Sequence, residues 1–136
     1  MSSIEQTLSI IKPDAVERNL VDEIKKIFTK NNLNIKEGKK IHVSKEEASD
    51  FYKVHQSKPF YDDLCTYLSS SPIFVMILEG ENAVAENRRI MGATNPKDAE
   101  ENTIRKLYGI SIDKNSVHGS DSVENAKQEI NFFFKN

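Results

Sequence analysis

Cysteine is nearly absent. Cys65 is the only one, so no internal disulfide can brace the chain, and a packed thiol in a reducing compartment is expected. Long apolar runs are missing too: none is long enough to span a bilayer, and Met1-Ser2-Ser3-Ile4-Glu5 lacks the basic-then-apolar layout of a signal peptide. A cytoplasmic protein is the natural expectation. There is no basic excess either. Lys and Arg number 19 against 21 Asp and Glu, a net charge of -2, which argues against a dedicated nucleic-acid binder. Repeats, low-complexity tracts and flexible linkers are also lacking. What is present is 136 residues, 29% charged and 38% hydrophobic. That suits a single folded domain over 1–136 with a core of its own.

Taken in order, Thr7 to Ile11 reads as a buried strand, ended by Lys12-Pro13-Asp14. The residue before proline favours extended geometry, which sets Lys12 at the strand's C-terminal edge. Val16, Leu20, Ile24, Ile27 and Phe28 then recur at helical spacing, with Asn31-Asn32 as the stop. Ile35 to Val43 is a second, partly exposed strand. Ser44-Lys45-Glu46-Glu47 is a capping box that opens a helix, and Phe60, Leu64, Cys65 and Leu68 mark a short helix after Pro59. Pro72 to Leu78 is the most apolar run and reads as a central strand. Gly80 should break it, and Asn82 should cap a helix carrying Val84, Arg88 (on or near the inward face) and Met91. After the Gly92-Ala93-Thr94-Asn95-Pro96 loop, Thr103, Ile104 and Leu107 mark a brief helix with Arg105. Val117 and His118 close the sheet. Two strand–helix–strand passes with antiparallel returns predict an α+β fold, a ferredoxin-like β-α-β-β-α-β sandwich. Its four-stranded antiparallel sheet is covered by helices, with extra helices after Ser44 and Pro59.

The chemistry points to Asn115-Ser116-Val117-His118-Gly119-Ser120-Asp121-Ser122. Gly119 has no side chain and Ser120 a small one, so a bulky anion should approach the His118 imidazole closely. Asp121 and Ser122 read as helix-start residues, followed by a Val123, Ala126, Ile130, Phe133 stripe. A neutral imidazole beside a helix N-terminus suits a phosphoryl-accepting nucleophile. A serine nucleophile at Ser120 is disfavoured, because the strand–Gly-x-Ser-x-Gly–helix elbow is missing. A metal site on His42, His55 and His118 is disfavoured by separations that fit no compact ligand motif.

Lys12-Pro13-Asp14-Ala15-Val16, Tyr52-x-x-His55, Arg88-x-x-x-Gly92-Ala93-Thr94-Asn95-Pro96, Thr103-Ile104-Arg105 and Asn115-x-x-His118-Gly119-Ser120-Asp121-Ser122 occur in this order. Together they make the chain resemble nucleoside diphosphate kinases over nearly its whole length. The resemblance implies transfer of the γ-phosphate of a nucleoside triphosphate, typically ATP, to a nucleoside diphosphate such as GDP, maintaining triphosphate pools. The implied route is ping-pong through a phosphohistidine at Nδ1 of His118, with Glu129 and Ser120 holding the ring. It further implies that Arg88 and Arg105 grip phosphate oxygens, with Thr94, Tyr52 and His55 in support. Lys12 would lie near phosphates and sugar, and Asn115 near the ribose. Phe60 would stack on the base against Ile112, with Leu64 and Gly119 also lining the nucleotide site. Mg²⁺ would ride on the phosphates rather than in a protein cage, with Asp121 within reach of its water shell. The family forms homo-hexamers or, in some bacteria, tetramers; the retained Gly92 to Asn102 loop favours the hexamer. Two departures stand out: Asn19 where many members have glycine, and an end soon after Phe134 without the longer tail of many eukaryotic members. A silent nucleotide-binding module on the same fold is the rival, opposed by the intact His118 and phosphate ligands.

Overall fold

The computed structural model describes residues 4–53, 56–112 and 114–134. Four strands form one sheet: β1 (Ile4–Ile11), β2 (Asn34–Ile41), β3 (Ile73–Glu81) and β4 (Val117–Gly119). Their spatial order is β2-β3-β1-β4 and every neighbour is antiparallel. This is the ferredoxin-like α+β arrangement the sequence predicts, with β1 inside the sheet. Around it lie α1 (Pro13–Glu17), α2 (Val21–Lys30), α3 (Lys45–Phe51), α4 (Tyr61–Leu68), α5 (Ala83–Met91), α6 (Ile104–Tyr108) and α7 (Val123–Phe134).

Period-two alternation splits the core into two layers. Leu8 and Ile10 of β1 join Ile73 and Val75 of β3, and α3, α4 and α7 cover them with Ala48, Cys65, Leu68 and Phe133. The other face sets Ile11, Met76, Leu78 and Val117 against Ile24 and Phe28 of α2, Ile90 and Met91 of α5, and Ile104 of α6. Burying each such large side chain is worth roughly 1.5–3 kcal/mol, so both layers are needed to fix the sheet. Cys65 is a free, buried thiol, as expected.

Local rules account for most boundaries. Ser44 and Glu47 close the capping box in both directions, and Pro13 stands at the first position of α1, where its missing N–H costs nothing. The single helix expected from Val16 to Phe28 is instead two, divided at Asn19 with φ of 61°. That left-handed conformation suits glycine best and asparagine next, so the amide side chain stands in for glycine there. Two further expectations change. Gly80 does not end its strand but pairs with Glu5 within β3; a Cβ on it would come within 2.9 Å of Leu33 Cδ2. Asn82 precedes α5 without a side-chain cap and supplies a left-handed turn, φ 51°.

Gly119 pairs with Ser9 at the sheet edge, and a Cβ there would lie 2.3 Å from Asn87 Nδ2 and 2.9 Å from Met91 Cε. Gly119→Ala therefore forces β4 away from α5 and should lower unfolding free energy by about 1–3 kcal/mol. Urea denaturation measures this; a wild-type midpoint would show that α5 yields freely.

Candidate active site

His118 sits at the middle of β4, opposite Ile10 on β1. Alternation turns its imidazole away from Gly119's neighbours on α5 and toward α3 and α7. There the ring meets Phe51 edge-on at 5.3 Å and Tyr52 at 6.4 Å, centroid to centroid. Its Nε2 lies 3.1 Å from Glu129 Oε1, and its side chain keeps 23% exposure. Ser120 is fully buried; its Oγ donates to the same Glu129 oxygen at 2.8 Å and accepts from the Leu8 N–H at 3.3 Å. A carboxylate can only accept, so Nε2 carries the hydrogen and Nδ1 keeps the lone pair. An imidazole oriented in this way by an anion at its far edge can act as a nucleophile at Nδ1.

The openness read from Gly119 and Ser120 has a different basis here. Neither clears space for a ligand: the glycine is required by α5, and the serine is a buried link between β1 and Glu129. Ser122 starts α7, its Oγ accepting from the Asn125 N–H. Asp121 is exposed and accepts from the Asn125 side chain.

The cations come from three other segments. Lys12 ends β1 in extended geometry and is buried, with Nζ donating to Asn115 Oδ1 at 2.9 Å. The Asn115 amide in turn donates to the Thr94 carbonyl at 3.1 Å, tying the Gly92–Pro96 loop to the turn before β4. Arg105, also buried, donates to the carbonyls of Gly92 and Val117, both at 3.0 Å. Burial, aided by the nearby charge of Arg88, pulls its guanidinium down to about 10, so it remains a cation at neutral pH. Arg88 is exposed rather than inward-facing; the buried neighbour on α5 is Asn87. Arg88, Thr94 and Arg105 share a cleft of about 460 Å³ with Gly92 and Thr103. Asp98 and Glu100 line the same cleft, and neither His118 nor Lys12 does; two guanidinium groups at its wall can hold an anion.

Tyr52 is buried at the end of α3, and burial, followed by the influence of Cys65 and Glu129, pushes its phenol well above the usual range. It is a neutral hydrogen-bonding group. Phe60 and Ile112 are both exposed, and Lys58 Nζ lies 5.7 Å from the centre of the Phe60 ring. Leu64 is half-buried against the α3–α4–α7 layer. His55 lies outside the described residues. His42 contacts the Ser69 carbonyl, and among the described residues no three His, Cys, Asp or Glu side chains gather where a metal ion would sit.

Sequence reasoning missed one cluster behind the site. Asp14, its side chain only 3% exposed, accepts from Tyr67, from Ser116 Oγ at 2.9 Å and from Arg18 Nη2 at 3.1 Å. A larger cleft of about 570 Å³ lies on this side, lined by Asp14, Arg18, Tyr67 and Lys114, and His118 does not reach it. Asp14 was within the Lys12-Pro13-Asp14 motif, but no pattern signals that Ser116 takes a φ of 75°.

A family model described as nucleoside diphosphate kinase matches residues 5–136. The chain is 55% identical over 132 residues to a nucleoside diphosphate kinase of Nitrosococcus oceani, covering 97% of this chain and 92% of that one. It is 57% identical over 131 residues to one of Campylobacter concisus, covering 96% of each. Among solved structures, the Aquifex aeolicus nucleoside diphosphate kinase superposes with a TM-score of 0.96 at 38% identity, over 98% of this chain and 97% of that one.

If the paired arginines form a phosphate site, inorganic tripolyphosphate at about 100 times its dissociation constant should stabilise the protein by about 2.7 kcal/mol. At the same concentration Arg88→Ala should lose most of that gain in a thermal-shift titration. An undiminished shift would remove Arg88 from the site.

Proposed function

The chain belongs to the nucleoside diphosphate kinase family, and on that premise we propose that His118 Nδ1 carries the phosphoryl group between two nucleotides. The enzyme transfers phosphate from a nucleoside triphosphate to a nucleoside diphosphate. In this reading, Nδ1 attacks the γ-phosphorus of ATP or another triphosphate, the bond to the β–γ bridging oxygen breaks, and the diphosphate departs. A second diphosphate such as GDP then enters the same place. Its terminal oxygen attacks the phosphohistidine, restoring the imidazole lone pair. Splitting the transfer lets one pocket serve both partners.

The observation that carries this reading is the His118 Nε2 to Glu129 contact at 3.1 Å. It leaves Nδ1 nucleophilic, and it offsets the positive charge that the ring acquires once phosphorylated. Lys12, Arg88 and Arg105 would stabilise the oxygens of the moving phosphoryl group, with Tyr52 and Thr94 as neutral donors and His55 in support. Asn115 would touch the ribose, and Phe60, Ile112 and Leu64 the base. Every base has a π-face, so stacking tolerates all of them.

Nucleotide would arrive as its divalent-metal complex, the metal being Mg²⁺, which would offset phosphate charge. Such a metal would be carried by the substrate's phosphates, since among the described residues no three His, Cys, Asp or Glu side chains gather to hold one. Asp121, exposed near the start of α7, is the carboxylate left to meet the metal's water shell. The reading includes a cytoplasmic enzyme working as one domain over 1–136. Among the described residues no helix is long and apolar enough to cross a membrane. It also includes a homo-hexamer in preference to a tetramer, supported by the Gly92–Asn102 loop and by exposed Leu107 and Ile110 nearby.

Incubation with γ-labelled ATP should yield an acid-labile, base-stable phosphoprotein, and His118→Ala should give neither label nor GTP from GDP. Label surviving in His118→Ala would refute the assignment. Arg105→Ala should turn over roughly 10- to 1000-fold more slowly, the scale of losing one transition-state donor; an unchanged rate would remove it from the site. Sedimentation equilibrium should return six copies, and a tetramer would correct the assembly.

A further inference from the structure

Val117 N–H returns to the Asn115 carbonyl at 2.9 Å across Ser116, whose φ is 75°. That is a γ-turn of the rare positive-φ kind, which persists only when its surroundings enforce it. Each residue of this turn holds part of the cationic machinery. The Asn115 side chain takes the Lys12 ammonium, the Ser116 carbonyl takes the Lys12 backbone N–H at 2.8 Å, and the Val117 carbonyl takes Arg105 Nη2. His118 follows directly. A rotation about Ser116 would shift all of these together.

The enforcement comes from Asp14. Its carboxylate is almost wholly buried, so it needs donors on both oxygens. Tyr67 donates to one oxygen, while Ser116 Oγ and Arg18 Nη2 donate to the other. Tyr67 also accepts the Asp14 N–H at 2.9 Å, and Arg18 reaches the Tyr108 carbonyl at 2.6 Å. The carboxylate is thereby fixed to α4 and to the end of α6 before it engages the turn.

We propose that Asp14 and Ser116 are positioning residues for phosphotransfer: the anchored carboxylate grips the Ser116 hydroxyl and locks the turn from which Lys12, Arg105 and His118 are aimed. This rests on the His118 phosphotransfer reading above. Neither residue touches nucleotide. Ser116 acts through its neighbours, and Tyr67 acts one step further back, from the wall of the 570 Å³ cleft.

Rapid-quench labelling with saturating ATP separates positioning from mere support of the fold, because it yields both a rate constant and an amplitude. Ser116→Ala should reach the full wild-type phosphohistidine amplitude with a rate constant about tenfold lower, the order expected for a small misalignment of reacting groups. Tyr67→Phe should show the same signature at about threefold, and it decides the matter should Ser116→Ala not fold. Ile24→Val, a core change on α2, should keep the wild-type rate. Wild-type rates in Ser116→Ala and Tyr67→Phe, or lower amplitudes at wild-type rates, would overturn the proposal. A wild-type protein that fails to label at His118 would instead overturn the phosphotransfer reading beneath it.

Discussion

Lys12 and Arg105 give up most of their hydration where they sit. Lys12 Nζ donates to Asn115 Oδ1 and Arg105 to the carbonyls of Gly92 and Val117, while Arg105 Nε is buried without a hydrogen-bond partner among the described residues. A buried cation without acceptors is prohibitively costly, and one paired with a carboxylate has little attraction left for a ligand. Carbonyl oxygens, as at Arg105, give an intermediate result: they solvate the cation without cancelling its charge. In the proposed reading a phosphate chain would meet the Arg105 charge already in place, which avoids reorganisation at the moment of transfer.

The fold supplies that arrangement through strand order. Because β1 lies between β3 and β4, the C-terminal end of β1 delivers Lys12 beside the start of β4, which is also where the chain enters from α6 with Arg105. Alternation along three residues of β4 then assigns separate tasks. Val117 faces the α2–α5–α6 layer, His118 the α3–α7 side, and Gly119 is pressed against α5. One-residue slippage would bury the histidine against Met91 and expose valine to the aromatic side, so register and chemistry are enforced by the same packing.

Much of this was legible in the chain. The apolar run of β3, the Ser44 capping box and the pre-proline Lys12 follow from local rules that hold in any context, and the two-face packing follows from alternation. His118, Arg105 and the glycine loop were legible as an ordered set of motifs. What was not legible depends on neighbours distant in sequence. Gly119 looked like room for a ligand, and only the position of Asn87 shows that α5 requires it. Asn19, Asn82 and Ser116 all adopt positive φ, but composition alone does not separate them from the many asparagines and serines that do not. The Asp14 cluster joins segments about a hundred residues apart, and no periodicity encodes such a meeting.

The histidine must satisfy two opposed demands, and the aromatic residues around it show how. For the proposed transfer, in which it accepts the phosphoryl group once and gives it up once per cycle, its ring must be reachable, yet to point Nδ1 consistently it must not swing. Glu129 fixes one ring edge, and Phe51 packs edge-on at 5.3 Å, itself braced by Phe132 and Phe133 from α7. The aromatic contacts restrict rotation without adding charge to that of Glu129. Tyr52 completes the wall on the same terms, since its burial keeps it a neutral phenol. Lys12, Arg88 and Arg105 supply positive charge from other segments, while the α3–α7 side supplies aromatic shape and the Glu129 carboxylate. Electrostatic attraction can then set where the phosphate goes, and packing where the imidazole waits.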